Sequence, residues 1–185
     1  GHVHFTDGYV GDEQNALRID GGLTPYEDPW APEIRDIRFY QHGTRKQFST
    51  SDLSGPVTIT FHVREANGPP STFESRLNNG AYIVGYEVLT RDRSERVYTP
   101  GLDPVQFKFD HKPSNAFVHN VFDPVESTLS KHVYFVSNNL TSPSSFDTSL
   151  IPVGEYTLRL FAIDTRENLA ESFVDISISR RDLVP

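Results

Sequence analysis

The chain has 185 residues, 36% of them apolar, with 17 Lys plus Arg against 25 Asp plus Glu for a net charge of -8, and neither Cys nor Met. An acidic surface of this size repels phosphate, which excludes nonspecific nucleic-acid binding, and no window approaches the run of about 18 apolar residues that a membrane-crossing helix needs. Without Cys there is no disulfide framework or thiol nucleophile, so any metal site must be built from His, Asp and Glu.

The chain opens Gly1-His2-Val3-His4-Phe5 rather than with Met, which predicts that it is a piece of a longer protein. On a short opening strand, alternation places His2 and His4 on one face, about 7 Å apart. One imidazole can then bind a metal while its neighbour reaches a water or substrate oxygen. Residues 6 to 33 differ from the rest, with turn-forming Gly, Asp and Asn and the sole Trp at position 30. Three Pro, at 25, 29 and 32, block ladder hydrogen bonds and favour extended backbone before them. This reads as a stiff, partly packed connector, or alternatively as a recognition peptide for an aromatic groove.

From residue 34 onward, period-two alternation in Val, Ile, Phe and Tyr dominates and predicts an all-β domain of about eight strands. The strands are expected at Ile34 to Tyr40, Val57 to Val63, Ala81 to Leu89, Val105 to Phe109, Phe117 to Val121, Val133 to Val136, Tyr156 to Ile163 and Phe173 to Ile178. Val57, Ile59, Phe61 and Val63 alternate with Thr58, Thr60 and His62, the pattern of a sheet packed on one side. Arg91 to Arg96 reads as a strand edge or hairpin tip, and helix content should be very low. Gly154-Glu155-Tyr156-Thr157-Leu158 followed by Phe173 to Ile178 looks like an immunoglobulin-like hairpin, in which the Tyr hydroxyl bonds backbone at a corner.

His119 and Asp123 fit His-x-x-x-Asp, but on a straight strand they would lie about 13 Å apart, too far for a shared metal. His42, His62, His111 and His132 are scattered singly and read as surface or hydrogen-bonded rings. Asp164 to Asn168 carries oxygen ligands at too low a density for a calcium loop and reads as a turn.

Gly1-His2-Val3-His4-Phe5, with Asp7-Gly8, Asn15-Ala16-Leu17-Arg18, Gly22-Leu23-Thr24-Pro25-Tyr26, Asp28 and Pro32-Glu33-Ile34, resembles the end of a lysostaphin/LytM-type zinc metallopeptidase catalytic domain. The body resembles an appended bacterial immunoglobulin-like β-sandwich. The resemblance implies residues 1-33 as the end of a peptidase-like domain plus connector, 34-180 as the sandwich and 181-185 as a tail. It implies His4 as a zinc ligand and His2 as the catalytic partner that positions or deprotonates the attacking water, or stabilises the oxyanion. The other ligands in that family lie upstream, so the zinc site would be complete only in the intact parent and this chain alone inactive. The implied parent is an exported enzyme of the periplasm, outer envelope or extracellular space acting on peptidoglycan. The alternative is a noncatalytic immunoglobulin-like adhesion or interaction module that binds an envelope protein.

Overall fold

The computed structural model describes residues 5-24, 26-66, 68 and 79-180. The opening strand with His2 and His4, and the tail at 181-185, lie outside the described residues.

The described chain is all-β, built from antiparallel sheets. A hairpin of β1 (Asp7–Tyr9) and β2 (Asp12–Gln14) comes first. The longer strands follow as β3 (Glu33–Gln41), β4 (Pro56–Arg64), β5 (Ile83–Thr90), β6 (Arg96–Tyr98) and β7 (Val105–Lys108). The last are β8 (His132–Phe135), β9 (Phe146–Asp147), β10 (Gly154–Ile163) and β11 (Leu169–Ile178). One sheet runs β11-β10-β5-β6, with β7 also paired to β5; the other runs β3-β4-β8, with β9 also paired to β4.

Both sheets contribute to a single hydrophobic core. Val57, Ile59, Phe61 and Val63 of β4 are fully buried in it beside Val84 and Val88 of β5 and Leu158 and Leu160 of β10. These are the alternating apolar rows that the sequence displays, turned towards each other so that each sheet covers the other's apolar face. The mixed alternation of β3 has a local cause: a register shift between Arg35 and Arg38, with Asp36 at a φ of 51°, re-aims the strand midway.

Two expectations are corrected. Phe117 to Val121 is not a strand: Val118–Val121 forms a four-residue helix, α1, whose end is tied by Phe122 N donating to Val118 O at 2.9 Å. Its alternation of Phe, Val and Val is that of one helical turn with Val121 alone turned into the core, too short to show a helical period. Nor is β4 packed on one side only. Thr60 is 1% exposed, Thr58 is buried beside His42, and Asp36 approaches both His62 and Lys131 across this face. Residues 90 to 96 form the hairpin tip between β5 and β6, closed by Thr90 N donating to Glu95 O at 2.9 Å.

The Tyr156 hydroxyl donates to Pro152 O at 3.0 Å, the corner that the Gly-x-Tyr-x-Leu pattern predicts. The β3–β4 connection reaches the other end of the chain. Leu53, fully buried, makes a parallel bridge to Ile178, with Leu53 N donating to Ser177 O and Ser179 N to Leu53 O, both at 2.9 Å. Among the described residues no helix is long and apolar enough to cross a membrane.

Candidate functional site

The connector is seated on the sheets from its first strands. Asn15 N donates to Asp110 O at 2.7 Å, its side-chain amide to Phe109 O at 3.1 Å, and Lys112 N to Glu13 O at 2.8 Å. Arg18 binds the Asp7 carboxylate and donates to Asn15 O at 3.1 Å, drawing the hairpin onto the following turn. Gly22 lets that turn close: a Cβ there would lie 2.3 Å from Arg18 O. Further on, the Arg166 guanidinium sits 4.8 Å over the Tyr26 ring, and Asn168 donates its side-chain amide to Asp28 O at 2.6 Å.

At this seam three distant carboxylates meet. Asp28 comes from the connector, Glu65 from the chain just leaving β4, and Asp164 from the turn between β10 and β11. Their relative exposures are 9%, 2% and 3%, and each offers an oxygen within 4.8 Å of the other two. They line a cavity of about 240 Å³ together with Asn15, Tyr26, Asn79 and Tyr82.

Local structure holds two of the acids. Asp28 Oδ1 accepts from Trp30 N at 3.0 Å, a turn that side-chain oxygens of Asp readily form. Asp164 Oδ1 accepts from the backbone of Arg166 at 2.7 Å and of Asn168 at 3.0 Å, while its Oδ2 accepts from the Asn168 amide at 2.7 Å. Asp164 to Asn168 is therefore a turn, as its ligand density implies, and its carboxylate faces the cluster as well.

Glu65 bears the electrostatic cost. Burial, then the charge of Asp28, push its carboxyl up to about 7, with Asp164 adding to the shift and Asn79 N, donating at 3.3 Å, opposing it. Near pH 7 the Glu65 carboxyl is therefore protonated in about half of the molecules. Of the described residues, these three are the set that could hold a metal ion, and their donors are all oxygen, which suits hard cations. A catalytic zinc of the resembled family needs imidazole, which this cluster lacks. His4 and His2, to which the resemblance assigns the zinc-ligand and catalytic roles, lie outside the described residues.

The His119–Asp123 pair is not brought together as a metal site. His119 lies exposed on α1, whereas Asp123 is fully buried and gripped by both terminal nitrogens of Arg45, one at 2.6 Å. Burial opposes ionisation of Asp123, but Arg45 and the backbone N–H groups of Val125 and Glu126 outweigh it and hold the carboxyl below its ordinary range. His42 shares a hydrogen bond with Thr58 at 3.0 Å, and His111 lies 3.5 Å from Asp12. His62 and His132 are held below the ordinary imidazole range chiefly by burial, and each keeps one buried ring nitrogen without a hydrogen-bond partner among the described residues.

Sequence reading misses Glu65 and Asp28 as partners of Asp164. One signal for Glu65 exists: it continues the inward row Val57, Ile59, Phe61, Val63, and an acid at the next inward position is unexpected unless something meets it. No family model, curated protein or solved structure matches this chain.

Proposed function

We propose that this chain is the C-terminal region of an exported zinc metalloendopeptidase acting on peptidoglycan, and that its body is an accessory immunoglobulin-like β-sandwich. The observation that carries the reading is the docked connector. Of the residues that follow His2-Val3-His4-Phe5, Glu13 and Asn15 are hydrogen-bonded to the segment that leaves β7, and Asp28 to the turn between β10 and β11. A catalytic strand ending at Phe5 would therefore meet a fixed support rather than a free tether. The tyrosine corner at Tyr156 and the single core between two antiparallel sheets support the immunoglobulin-like assignment.

In this reading His4 completes a zinc site with upstream His and Asp ligands, and His2 orients the attacking water or takes its proton. The metal, when bound, supplies Lewis acidity and an activated water for amide hydrolysis. The sandwich contributes placement: it fixes the connector and hence the end of the catalytic domain at the envelope. The test uses the full-length parent. It is expected to bind zinc and cleave muropeptides, and His4→Ala to abolish both. Unchanged turnover in that variant overturns the enzyme reading and leaves a noncatalytic interaction module.

A further inference from the structure

A second cavity, of about 520 Å³, lies on the outer side of the four-stranded sheet, remote in sequence from the connector. Tyr40, Thr58 and Phe135 from β3, β4 and β8 supply its floor, and Tyr40 and Thr58 are register partners. The β3–β4 turn with His42 and Arg45, α1 with His119, and the loop at Asn138 form its walls. The volume lies in the range of small-ligand sites, about 300–1,000 Å³, which combine an apolar lining with a few convergent polar groups.

The chemistry of the lining is unlike that of the surface as a whole. In a chain of net charge -8, no Asp or Glu lines this cavity. The adjoining acid, Asp123, is buried and neutralised by Arg45. What remains is donor-rich. The Asn138 side chain, in a residue 6% exposed, uses its oxygen to accept from Ser144 N at 3.3 Å, and its NH₂ group has no hydrogen-bond partner among the described residues. His42 spends one ring nitrogen on Thr58 and keeps the other; His119 has both ring nitrogens uncommitted among the described residues. The Arg45 guanidinium, its charge matched by Asp123, lies 5.4 Å over the Tyr40 ring and adds a flat edge to an aromatic floor.

We propose that this cavity binds a small organic carboxylate with an apolar body, of the kind presented by the free C-terminus of a short peptide. The carboxylate meets the Asn138 amide and the two imidazoles, and the apolar body rests on Tyr40 and Phe135 between Pro124 and Pro143. The site is independent of the peptidase reading and stands or falls separately from it.

The test is an NMR titration of the intact chain with N-acetyl-alanyl-leucine as the free acid and as its C-terminal amide. The acid is expected to shift residues 42–45, 119 and 135–143 saturably. The amide, deprived of charge-assisted hydrogen bonds, is expected to bind about tenfold more weakly. His119→Glu, an exposed replacement that removes a donor and sets a like charge at the wall, should weaken the acid about fivefold more than it weakens the amide. Thr44→Glu in the exposed turn repeats that charge test on a second wall. Equal binding of acid and amide, shifts outside the cavity, or acid affinity untouched by both glutamates would overturn the proposal.

Discussion

Asn168 ties the last hairpin to the connector: its side-chain amide donates to Asp28 O at 2.6 Å and to the Asp164 carboxylate at 2.7 Å. One side chain thus reaches a residue 140 positions away and braces two of the three acids at the seam. Asn168→Ala removes both bonds while keeping the backbone N–H that Asp164 Oδ1 accepts. The expected loss is about 1–2 kcal/mol, with faster amide exchange across residues 23 to 30. Exchange there unchanged from wild type would mean that the connector is held without it.

Glu65 makes stability depend on pH. Its carboxyl is raised from 4.5 to about 7 in the folded protein. Below pH 4.5 both states hold the proton and nothing is lost. Between 4.5 and 7 the unfolded chain ionises while the folded one resists, so stability falls as pH rises; the loss is complete above 7, on the order of 3 kcal/mol. His62 and His132, whose buried rings resist protonation, act in the opposite sense as pH falls through the imidazole range. The readout is therefore the difference in Tm between wild type and Glu65→Gln at pH 5 and pH 8. The variant should gain at pH 8 relative to pH 5; a constant difference would show that Glu65 titrates normally.

Glu87 sits 3% exposed in β5 and is bound on both sides, by Arg96 Nε at 2.6 Å and Arg159 Nη1 at 2.5 Å, while Arg159 goes on to Glu171 at 2.5 Å. The four charges run across β6, β5, β10 and β11 in order. Truncating the buried member leaves two guanidinium groups facing one another, so Glu87→Ala should cost about 3 kcal/mol in urea denaturation. A loss below about 1 kcal/mol would class the chain of charges with ordinary exposed bridges.

Gly85 leaves no room for a side chain. A Cβ there would lie 2.2 Å from Pro104 O and 2.4 Å from Phe161 Cζ, the latter on its register partner in β10. Gly85→Ala should lower Tm more than any single surface change and reduce soluble yield. Pairing it with Phe161→Leu should restore only part of the loss, because the Pro104 carbonyl belongs to backbone bonded to Tyr86 N at 2.9 Å. Full recovery in the double variant would locate the conflict in the ring alone.

Legibility followed the range of the forces. The row Val57, Ile59, Phe61, Val63 is readable because burial imposes period two on successive residues. Tyr156 is readable because its corner is local, reaching four residues back to Pro152. β1, β2, β6 and β9 have three residues or fewer and owe their existence to pairing partners, so they carry almost no period of their own. The acid cluster was hidden for a related reason: Asp28, Glu65 and Asp164 each look ordinary in their own segment and become costly only when the fold assembles them.

The suture between Leu53 and Ile178 constrains how the molecule can be made. The first large hairpin cannot bury Leu53 against its final neighbour until the end of β11 exists, more than a hundred positions later. Closing so long a loop is slow and leaves strand edges uncovered meanwhile. A ribosome emitting this chain from its N-terminus would therefore hold an unlatched domain until nearly the last described residue has emerged, and a stop codon placed at the middle of β11 would unlock both sheets together.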